Sequence, residues 1–377
     1  MSESNDADGS DGLRVGIDVH TLGRRKTGNE TYVRGLFEGF AELPADGVEY
    51  IAYYTGDRAP ALGPVAARRV IPHFPLVRIP LSFPLALRRD RIDVAHFQYI
   101  QPPVCPCPVV LSVHDISYEF HPEYFPPVER LRMRAMIPSA IRRAAHVITL
   151  SEFSRRQIQQ RYGVREERIT VTPLAAGKAF RPPPAGVEPR RVAEALGIRG
   201  AYILAVGNLQ PRKNLARIVS AYAALRRDGR IAHRLVLVGP RAYGTDRFLD
   251  HVRELGLESD ITITGYVSEE QLVGLYQGAD VFVYASLYEG FGLPIVEAMA
   301  CGAPVIASNV ASMPEVAGDA ALLVDPRSEF ELGAAVLRLA GSAEERMRMR
   351  EKGYARAAGF TWRRVAEATR DAYRRCA

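Results

Sequence analysis

The sequence is poor in lysine, cysteine and tryptophan, and it lacks a long uninterrupted apolar run. Its 377 residues include four lysines, four cysteines and one tryptophan. A membrane-spanning helix needs about 18 or more consecutive apolar residues, so the sequence predicts no transmembrane segment. The one close cysteine pair, Cys105 and Cys107, is too tightly spaced for the usual zinc sites. We therefore expect free thiols in a reducing compartment and no metal site.

The first twelve residues, MSESNDADGSDG, are acidic, small and polar. A secretory signal would have a basic start followed by an apolar block, and this segment has neither. We therefore expect residues 1–12 to be a disordered tail and the protein to be cytoplasmic.

Basic residues slightly outnumber acidic ones, 49 against 43, and all but four of the basic residues are arginine. This balance indicates a general use of arginine and predicts no nucleic-acid partner. One region is strongly basic: between Phe125 and Arg165, nine arginines and two glutamates are interleaved with apolar residues. Such a region suits a helix in peripheral contact with an anionic membrane. It equally suits a solvated helix face above core contacts, and the sequence slightly favours this second interpretation.

Short β-branched runs alternate with helical patterns through residues 13–180 and again through residues 192–359. This alternation predicts an α/β protein with two doubly wound, Rossmann-like domains, each built on a parallel sheet. Residues 181–191, which include three consecutive prolines, are the expected linker. Residues 360–377 predict a last helix with Trp362 and Tyr373 near one face, and we expect it to pack back on the first domain.

The segment EGFGLPIVE, residues 289–297, follows the predicted strand VFVYAS. Open α/β sheets bind ligands at the carboxyl ends of their strands. Gly290 and Gly292 let the backbone approach a ligand, and Pro294 suits the first residue of a helix whose start offers N–H groups to an anion. The two flanking carboxylates, Glu289 and Glu297, can accept hydrogen bonds from sugar hydroxyls. The segment therefore predicts a site for a ligand that carries both phosphate and sugar.

With these residues the sequence resembles the retaining GT-B glycosyltransferases of family four. The stretch ASLYEGFGLPIVEAMACGAPVIAS matches the Glu-x7-Glu signature of that family. The resemblance continues over nearly the whole chain, through GIDVHTLGRRKTGNETY, VHDISYEFHPEYF, VGNLQPRKNL, TGYVSEEQLVGLYQGAD and MPEVAGDAALLVDP. It implies a GT-B architecture in which residues 13–180 form the acceptor-side domain and residues 192–359 bind the nucleotide sugar.

The resemblance also implies roles for individual residues. Glu289 would hold hydroxyls of the donor sugar, and Glu297 would hold the ribose. Lys213 would neutralise the donor diphosphate, with Arg212 beside it, and His114 would face the sugar near its anomeric carbon. The expected catalytic residues are thus His114, Lys213 and Glu289. The rest of the implied donor site is formed by Gly28, Gly207, Val267, Gly290, Phe291, Gly292 and Leu293.

The chain departs from the family pattern at two positions. Family members frequently have arginine directly after the glycine of the VGNL strand end, whereas this chain has Asn208 after Gly207. Either Arg212 supplies the missing charge or the site has one cation fewer, and the sequence leaves both open. Glu30 stands where the family often has a small residue, which places it near the acceptor.

Each of these residues also has a plainer interpretation. Glu289 and Glu297 could be surface acids near a helix start, and Lys213 could be an ordinary surface lysine. His114 could be a hydrogen-bonded core histidine, and Gly28 could be a turn glycine. The length of the matching motifs favours the functional interpretation, least strongly for Gly28.

The implied reaction transfers a hexose from a nucleotide-diphosphate sugar to a hydroxyl of a glycan or lipid-linked acceptor, with retention and without a cofactor or metal. GDP-mannose is the expected donor, because VGNLQPRKNL and VHDISYEFHPEYF look most like mannosyltransferases of polysaccharide and glycolipid assembly, and a UDP-hexose remains open. A sugar-nucleotide epimerase, a phosphorylase or a non-catalytic sugar-nucleotide-binding subunit could share the architecture. A retaining glycosidase is disfavoured, because it needs two carboxylates about 5 Å apart and no phosphate site.

Overall fold

The computed structural model describes residues 12–23, 27–63, 65–70 and 74–377. The predicted tail, residues 1–12, therefore lies outside the described residues except for Gly12. Within these ranges the chain forms two parallel sheets with helices on both faces. The predicted α/β fold with two doubly wound sheets is confirmed.

The first sheet contains seven strands. They are β1 (Leu13–Asp18), β2 (Val48–Tyr54), β3 (Ala66–Arg69), β4 (Val94–Gln98), β5 (Val109–Ser112), β6 (His146–Thr149) and β7 (Ile169–Val171). All pairs are parallel, in the spatial order β3-β2-β1-β4-β5-β6-β7. The sequence does not predict β3, because its Ala-Ala-Arg-Arg segment has no β-branched or aromatic residue. This strand lies at the sheet edge beside β2.

Helices of the first domain cover both faces of this sheet. They are α1 (Thr27–Ala41), α2 (Pro75–Val77), α3 (Phe83–Arg89), α4 (Ser117–Phe120), α5 (Pro127–Arg143) and α6 (Glu152–Tyr162), with a π-helical turn (Arg78–Ser82) between α2 and α3. Helices α3 and α5 pack into the same core cluster through Phe83, Leu87, Ile137 and Ile141. The basic region predicted from the sequence thus includes α5, which buries one apolar edge and exposes Val128 and Leu131.

The second sheet contains six parallel strands. They are β8 (Tyr202–Val206), β9 (Arg234–Val238), β10 (Ile261–Gly265), β11 (Val281–Tyr284), β12 (Val305–Ser308) and β13 (Ala321–Val324). Their spatial order is β10-β9-β8-β11-β12-β13. The strand order reverses beside β8 and β11, so a crevice opens where their carboxyl ends diverge.

Eight helices surround the second sheet among the described residues. They are α7 (Arg191–Ala195), α8 (Leu215–Arg227), α9 (Thr245–Glu254), α10 (Glu269–Gly278), α11 (Leu293–Cys301), α12 (Met313–Ala317), α13 (Glu329–Gly341) and α14 (Ala343–Ala358). Residues 181–190, in the expected linker, form neither helix nor strand. No helix in the described part of the chain is long and apolar enough to cross a membrane.

The last helix, α15 (Trp362–Arg374), leaves the second domain and lies on α1 of the first. A Cβ added at Gly35 would lie 2.0 Å from the ring of Trp362, and one added at Gly39 would lie 2.2 Å from the Trp362 carbonyl oxygen. The two glycines therefore let the helices approach closely. The buried face of α15 comprises Trp362, Val365, Ala366, Thr369, Ala372 and Tyr373.

Candidate active site

The loop between β11 and α11 carries the two carboxylates. Gly292 caps the start of α11 with φ 101°, and Gly302 caps its end with φ 83°, a backbone region that strongly favours glycine. The helix begins at Leu293, one residue before the position expected from Pro294. Its open N-terminus and the loop that precedes it therefore lie at the carboxyl edge of the second sheet.

Glu289 lies between two cations. Its Oε1 atom is 2.7 Å from Nζ of Lys213, and its Oε2 atom is 2.7 Å from Nη1 of Arg212. Lys213 also donates to the hydroxyl of Tyr284 at 2.6 Å and lies 4.8 Å from the centre of that ring. Arg212 donates to the carbonyl oxygen of Tyr288 at 2.7 Å. The structure thus brings three of the predicted charged residues, Glu289, Lys213 and Arg212, into one cluster.

This cluster keeps the carboxylate of Glu289 ionised although the residue is buried. Burial alone would raise the pKa of Glu289, but the charges of Arg212 and Lys213 outweigh it and lower that pKa to about 2. Burial lowers the pKa of Lys213, and the charge of Glu289 opposes this change. The side chain of Arg212 is 19% exposed, so it lies in the site and not in open solvent. Arg212 is therefore placed to supply the charge that is absent at Asn208.

Glu297 has a different environment. It lies in the second turn of α11, is buried, and accepts a hydrogen bond of 3.1 Å from the hydroxyl of Tyr276. Burial raises the pKa of Glu297 to about 7. The two acids of the motif thus differ in charge near neutral pH: Glu289 is an anion, whereas Glu297 exchanges its proton there.

Glycines occupy the carboxyl ends of three neighbouring strands. Gly207 follows β8, Gly239 follows β9, and Gly265 ends β10. A Cβ added at Gly239 would lie 2.1 Å from the carbonyl oxygen of Gly207, so the backbones approach closely. Val267 lies just beyond Gly265, half-buried against the core. The predicted site residues Gly207 and Val267 therefore lie at the same carboxyl edge of the second sheet as the loop that carries Glu289.

His114 belongs to the first domain and lies two residues after β5. Its ring lies edge-on to Tyr32 and Tyr99, with centroid distances of 4.8 and 5.4 Å. Burial lowers the pKa of His114 to about 4, so the imidazole is neutral at physiological pH. Its Nε2 atom is buried and has no hydrogen-bond partner among the described residues. An unpaired buried nitrogen is costly, which is consistent with a partner that arrives with a ligand.

The two sheets touch where His114 meets the Glu289 loop. A Cβ added at Gly290 would lie 2.6 Å from the carbonyl oxygen of His114, so glycine is required for this contact. The hydroxyls of Ser151 and Ser154, at the start of α6, donate to the carbonyl oxygen of Gly290 at 2.7 and 3.2 Å. The backbone of the loop that carries Glu289 is thus held by the first domain.

Glu315 extends this contact between the domains. Its carboxylate accepts the backbone N–H groups of Glu152 and Phe153 at 2.8 and 3.1 Å. A carboxylate at a helix start satisfies unpaired N–H groups and complements the helix dipole. Ser151, Ser154 and Glu315 were not predicted from the sequence. Only the helix cap at Ser151 has a local signal, a serine directly after a strand-like run.

Two residues of the segment expected to be the first loop, Gly28 and Glu30, lie in the first turn of α1. Gly28 is in the first turn of the helix, and a Cβ added there would have no neighbour within 4 Å. Glu30 accepts a hydrogen bond of 2.9 Å from Arg34 and one of 3.2 Å from the backbone N–H of Gly23. Gly28 is therefore exposed and makes no close contact, whereas Glu30 has partners within its own segment.

An aromatic cavity of about 350 Å³ lies between the domains, beside Tyr288. Phe120, His121, Phe153, Gln157, Leu287, Tyr288, Val310, Ala311, Pro326 and Arg327 line it. The ring of Tyr288 contacts His121 and Phe153 edge-on, and its hydroxyl donates a hydrogen bond to the side chain of Gln157.

The part of the chain that the structure describes contains no group of three or more His, Cys, Asp or Glu residues that could hold a metal ion.

The sequence matches two family models. The Glycosyl transferases group 1 model matches residues 191–356, and the Glycosyltransferase Family 4 model matches residues 27–175. The O-antigen chain mannosyltransferase B of Escherichia coli is 37% identical over 266 residues, which are 70% of each chain. The MMP alpha-(1->4)-mannosyltransferase of Mycolicibacterium hassiacum is 33% identical over 60% of this chain and 53% of its own length.

Solved structures share the fold at lower identity. Sucrose-phosphate synthase from Thermosynechococcus elongatus superposes with a TM-score of 0.77 and 20% identity, over 96% of this chain and 98% of that one. The lipopolysaccharide glycosyltransferase WaaG superposes with a TM-score of 0.71 and 19% identity, over 95% of this chain and 98% of that one. Anabaena HepE, in complex with UDP and glucose, superposes with a TM-score of 0.74 and 18% identity, again over 95% of this chain and 98% of that one. With the family matches and the Glu289–Lys213–Arg212 site between two parallel sheets, the chain belongs to the group 1 (family four) glycosyltransferases and has their GT-B fold.

Proposed function

We propose that this glycosyltransferase moves a hexose from a nucleotide-diphosphate sugar to an acceptor hydroxyl and retains the anomeric configuration. The observation that carries the proposal is the buried cluster of Lys213, Arg212 and Glu289. The residue after Glu289, Gly290, packs against the backbone of His114 in the other domain. Two cations in a water-poor cleft suit a diphosphate whose negative charge grows as it departs. A retaining glycosidase has no diphosphate to bind and so has no need of such a cluster.

In the proposed step, the bond from the anomeric carbon to the diphosphate oxygen breaks. A bond from the same carbon to the acceptor oxygen forms on the same face, and the acceptor proton passes to the departing phosphate oxygen. Lys213 and Arg212 stabilise the leaving group, and the open N-terminus of α11 adds its positive end. The cations supply what a metal would otherwise supply, so we propose that transfer needs no divalent ion.

The two ends of the donor would bind different acids. Glu297, with a pKa near 7, is placed to exchange hydrogen bonds with ribose hydroxyls, either as acceptor or as donor. Glu289 is the counterion of both cations in the free protein. When a diphosphate takes over those cations, the carboxylate becomes available to accept hydrogen bonds from the sugar.

The proposed donor is GDP-mannose, and the proposed acceptor is a glycan or lipid-linked glycan. Two relatives that are mannosyltransferases by name support mannose, and the first is named for O-antigen chains. The UDP complex of HepE keeps a UDP-hexose as the second candidate.

We also propose peripheral contact with anionic lipid through helices α3 and α5. Leu81 in the π-helical turn before α3, Leu85 in α3, and Val128 and Leu131 in α5 are more than half exposed. Helices α3 and α5 cover the same core cluster. Exposed arginines, Arg88, Arg89, Arg132 and Arg134, flank these apolar side chains. Flotation with vesicles should show binding to phosphatidylglycerol vesicles and none to phosphatidylcholine, and Leu81→Ser together with Leu85→Ser should reduce it. Equal binding to both vesicle types would contradict this contact.

A two-stage experiment tests the function. First, GDP, UDP and ADP are compared by thermal shift, because a ligand at a hundred times its dissociation constant stabilises by about 2.7 kcal/mol. Second, the matching hexose donor is incubated with a mannoside acceptor in EDTA, and the product linkage is read by NMR. A retained linkage supports the proposal. Release of free sugar alone, epimerised donor, or binding without product would each assign the chain to a different class.

A further inference from the structure

A buried chain of hydrogen bonds connects the last helix to the candidate active site. The hydroxyl of Tyr373 lies 2.6 Å from Nδ1 of His96, and Nε2 of His96 lies 2.7 Å from the hydroxyl of Ser112. Ser112 in turn lies 2.8 Å from the hydroxyl of Tyr32. The two ends of this chain of hydrogen bonds, Tyr32 and Tyr373, are 341 positions apart in the 377-residue sequence. It joins residues of α1, β4, β5 and α15.

The far end of this chain touches His114. The ring of Tyr32 lies edge-on to the imidazole, 4.8 Å between centroids at an interplanar angle of 67°. Tyr99 contacts the imidazole from another direction, 5.4 Å between centroids, with a positive φ of 59° in its own backbone. The orientation of His114 is thus set by two aromatic contacts, and one of these rings is fixed by the hydrogen-bond chain.

All four members of the chain are at most 1% exposed. Buried polar side chains that satisfy one another give a rigid, specific arrangement, and losing one partner leaves the others unpaired. Burial lowers the pKa of His96 to about 3, so its ring is neutral and accepts at one nitrogen while it donates at the other. This chain of hydrogen bonds therefore fixes the orientation of its side chains, and none of them is charged.

We propose that Tyr373, His96, Ser112 and Tyr32 form a positioning relay that holds the imidazole of His114 in its place beside the donor sugar. The proposal rests on the proposed function, because it assigns the relay to the transfer step. Tyr32 is the positioning residue that touches His114, and Tyr373 makes the last helix a part of the active site. The crossing of α15 to the first domain then has a catalytic consequence in addition to its packing.

Removing one hydroxyl from the relay tests it. Tyr373→Phe deletes the hydrogen bond to His96 and keeps the ring, and Ser112→Ala breaks the next two bonds. Tyr202→Phe is the matched control, since Tyr202 is equally buried and donates a hydrogen bond of 2.6 Å to the carbonyl oxygen of Leu275 in the second domain. Calorimetry gives the number of nucleotide sites per chain, and this number measures the folded fraction of each variant. Dividing each rate by it corrects for unfolded protein.

A small displacement of a catalytic group can slow a reaction about a hundredfold. We expect Tyr373→Phe to lower kcat between about tenfold and a hundredfold, with donor KM within about twofold of wild type. Tyr202→Phe should change kcat less than about twofold. A Tyr373→Phe enzyme that matches the Tyr202→Phe enzyme in kcat per nucleotide site overturns the relay.

Histidine ¹⁵N spectra separate the relay from the function. Tyr373→Phe should shift the ring resonances of both His96 and His114, whereas Tyr202→Phe should shift neither. If the wild-type protein transfers no sugar, the proposed function fails and these spectra alone judge the relay. An unmoved His114 resonance in Tyr373→Phe overturns it in that case as well.

Discussion

The hydroxyl of Ser151 donates a 2.7 Å hydrogen bond to the carbonyl oxygen of Gly290 across the cleft between the two sheets. Gly290 directly follows Glu289, the counterion of both site cations. The loop that carries Glu289 is therefore held in part by the first domain. Glu315 of the second domain binds the same helix start, through the backbone N–H groups of Glu152 and Phe153.

The first prediction concerns this closing contact. Glu315→Gln keeps the side-chain shape but loses the charge and one of the two acceptor oxygens, so the contact between the domains should be weakened by about 1–2 kcal/mol. Transfer should fall about fivefold to thirtyfold. Nucleotide affinity should stay within about twofold, because Lys213, Arg212 and Glu297 all belong to the second domain. Steady-state kinetics and calorimetry measure the two effects.

Glu331→Gln is the control for this variant. Glu331 also accepts a backbone N–H, that of Asp325 at 2.8 Å, but entirely within the second domain. Its replacement should leave transfer nearly unchanged. Equal rates for Glu315→Gln and Glu331→Gln would show that the contact between the domains has no part in transfer.

The second prediction concerns the packing of α15 on α1. Gly35→Ala places a methyl group 2.0 Å from the Trp362 ring and should destabilise the protein by about 1–3 kcal/mol. Gly28→Ala, in the same helix, meets no atom within 4 Å, and it should stabilise by up to about 1 kcal/mol. Urea unfolding measures both. Combining Gly35→Ala with Trp362→Leu should cost less than the sum of the single changes, and a strictly additive result would place the strain elsewhere.

Much of the site could be predicted from the sequence because its chemistry is local. Glu289 and Glu297 lie on one strand–loop–helix segment, and glycine, proline and the preceding strand fix their surroundings. Lys213 and Arg212 are adjacent on another such segment. The other strands could be predicted from their β-branched runs. Strand β3 was not predicted, because pairing at a sheet edge requires little β propensity.

The remaining features depend on contacts between distant positions. Ser151 and Gly290 are 139 residues apart, and His96 and Tyr373 are 277 apart. Each of these residues is unremarkable within its own segment, since a serine after a strand or a tyrosine on an amphipathic face has many ordinary uses. The pairing of Glu289 with both cations was also outside the sequence prediction, which assigned that acid to the sugar alone. Side-chain direction decides this pairing, and spacing along the chain does not reveal it.

The third prediction concerns pH. Burial raises the pKa of Glu297 from 4.5 to about 7, so between these values the unfolded chain loses the proton while the folded protein keeps it. Stability from this group is therefore present below pH 4.5 and is lost as pH rises to about 7. Glu297→Gln removes the effect. The difference in unfolding free energy between variant and wild type should move in favour of the variant from pH 5 to pH 7, and a difference independent of pH would contradict the buried, protonated state.

The last prediction concerns Lys213, Arg212 and Asn208. A cation beside the diphosphate binds the transition state more tightly than the ground state, because the leaving group gains charge as the glycosidic bond breaks. Lys213→Met keeps the apolar stem and deletes the charge, and it should slow transfer by about a hundredfold to a thousandfold, about 2.7–4 kcal/mol. Because Arg212 contacts Glu289 and is largely buried, Arg212→Met should cost nearly as much.

The control is Lys352→Met, which removes an exposed lysine paired with Asp319 and should leave transfer unchanged. Adding Asn208→Arg to Arg212→Met should restore part of the rate, because it returns a cation directly after Gly207, beside the same charge cluster. Transfer rates per nucleotide site show whether Arg212 supplies the charge that is absent at Asn208 or the site has one cation fewer. If Arg212→Met slows transfer less than about threefold, Lys213 carries the diphosphate alone. If Lys213→Met has the wild-type rate, the diphosphate does not bind at this cluster, and the cations serve only to hold Glu289.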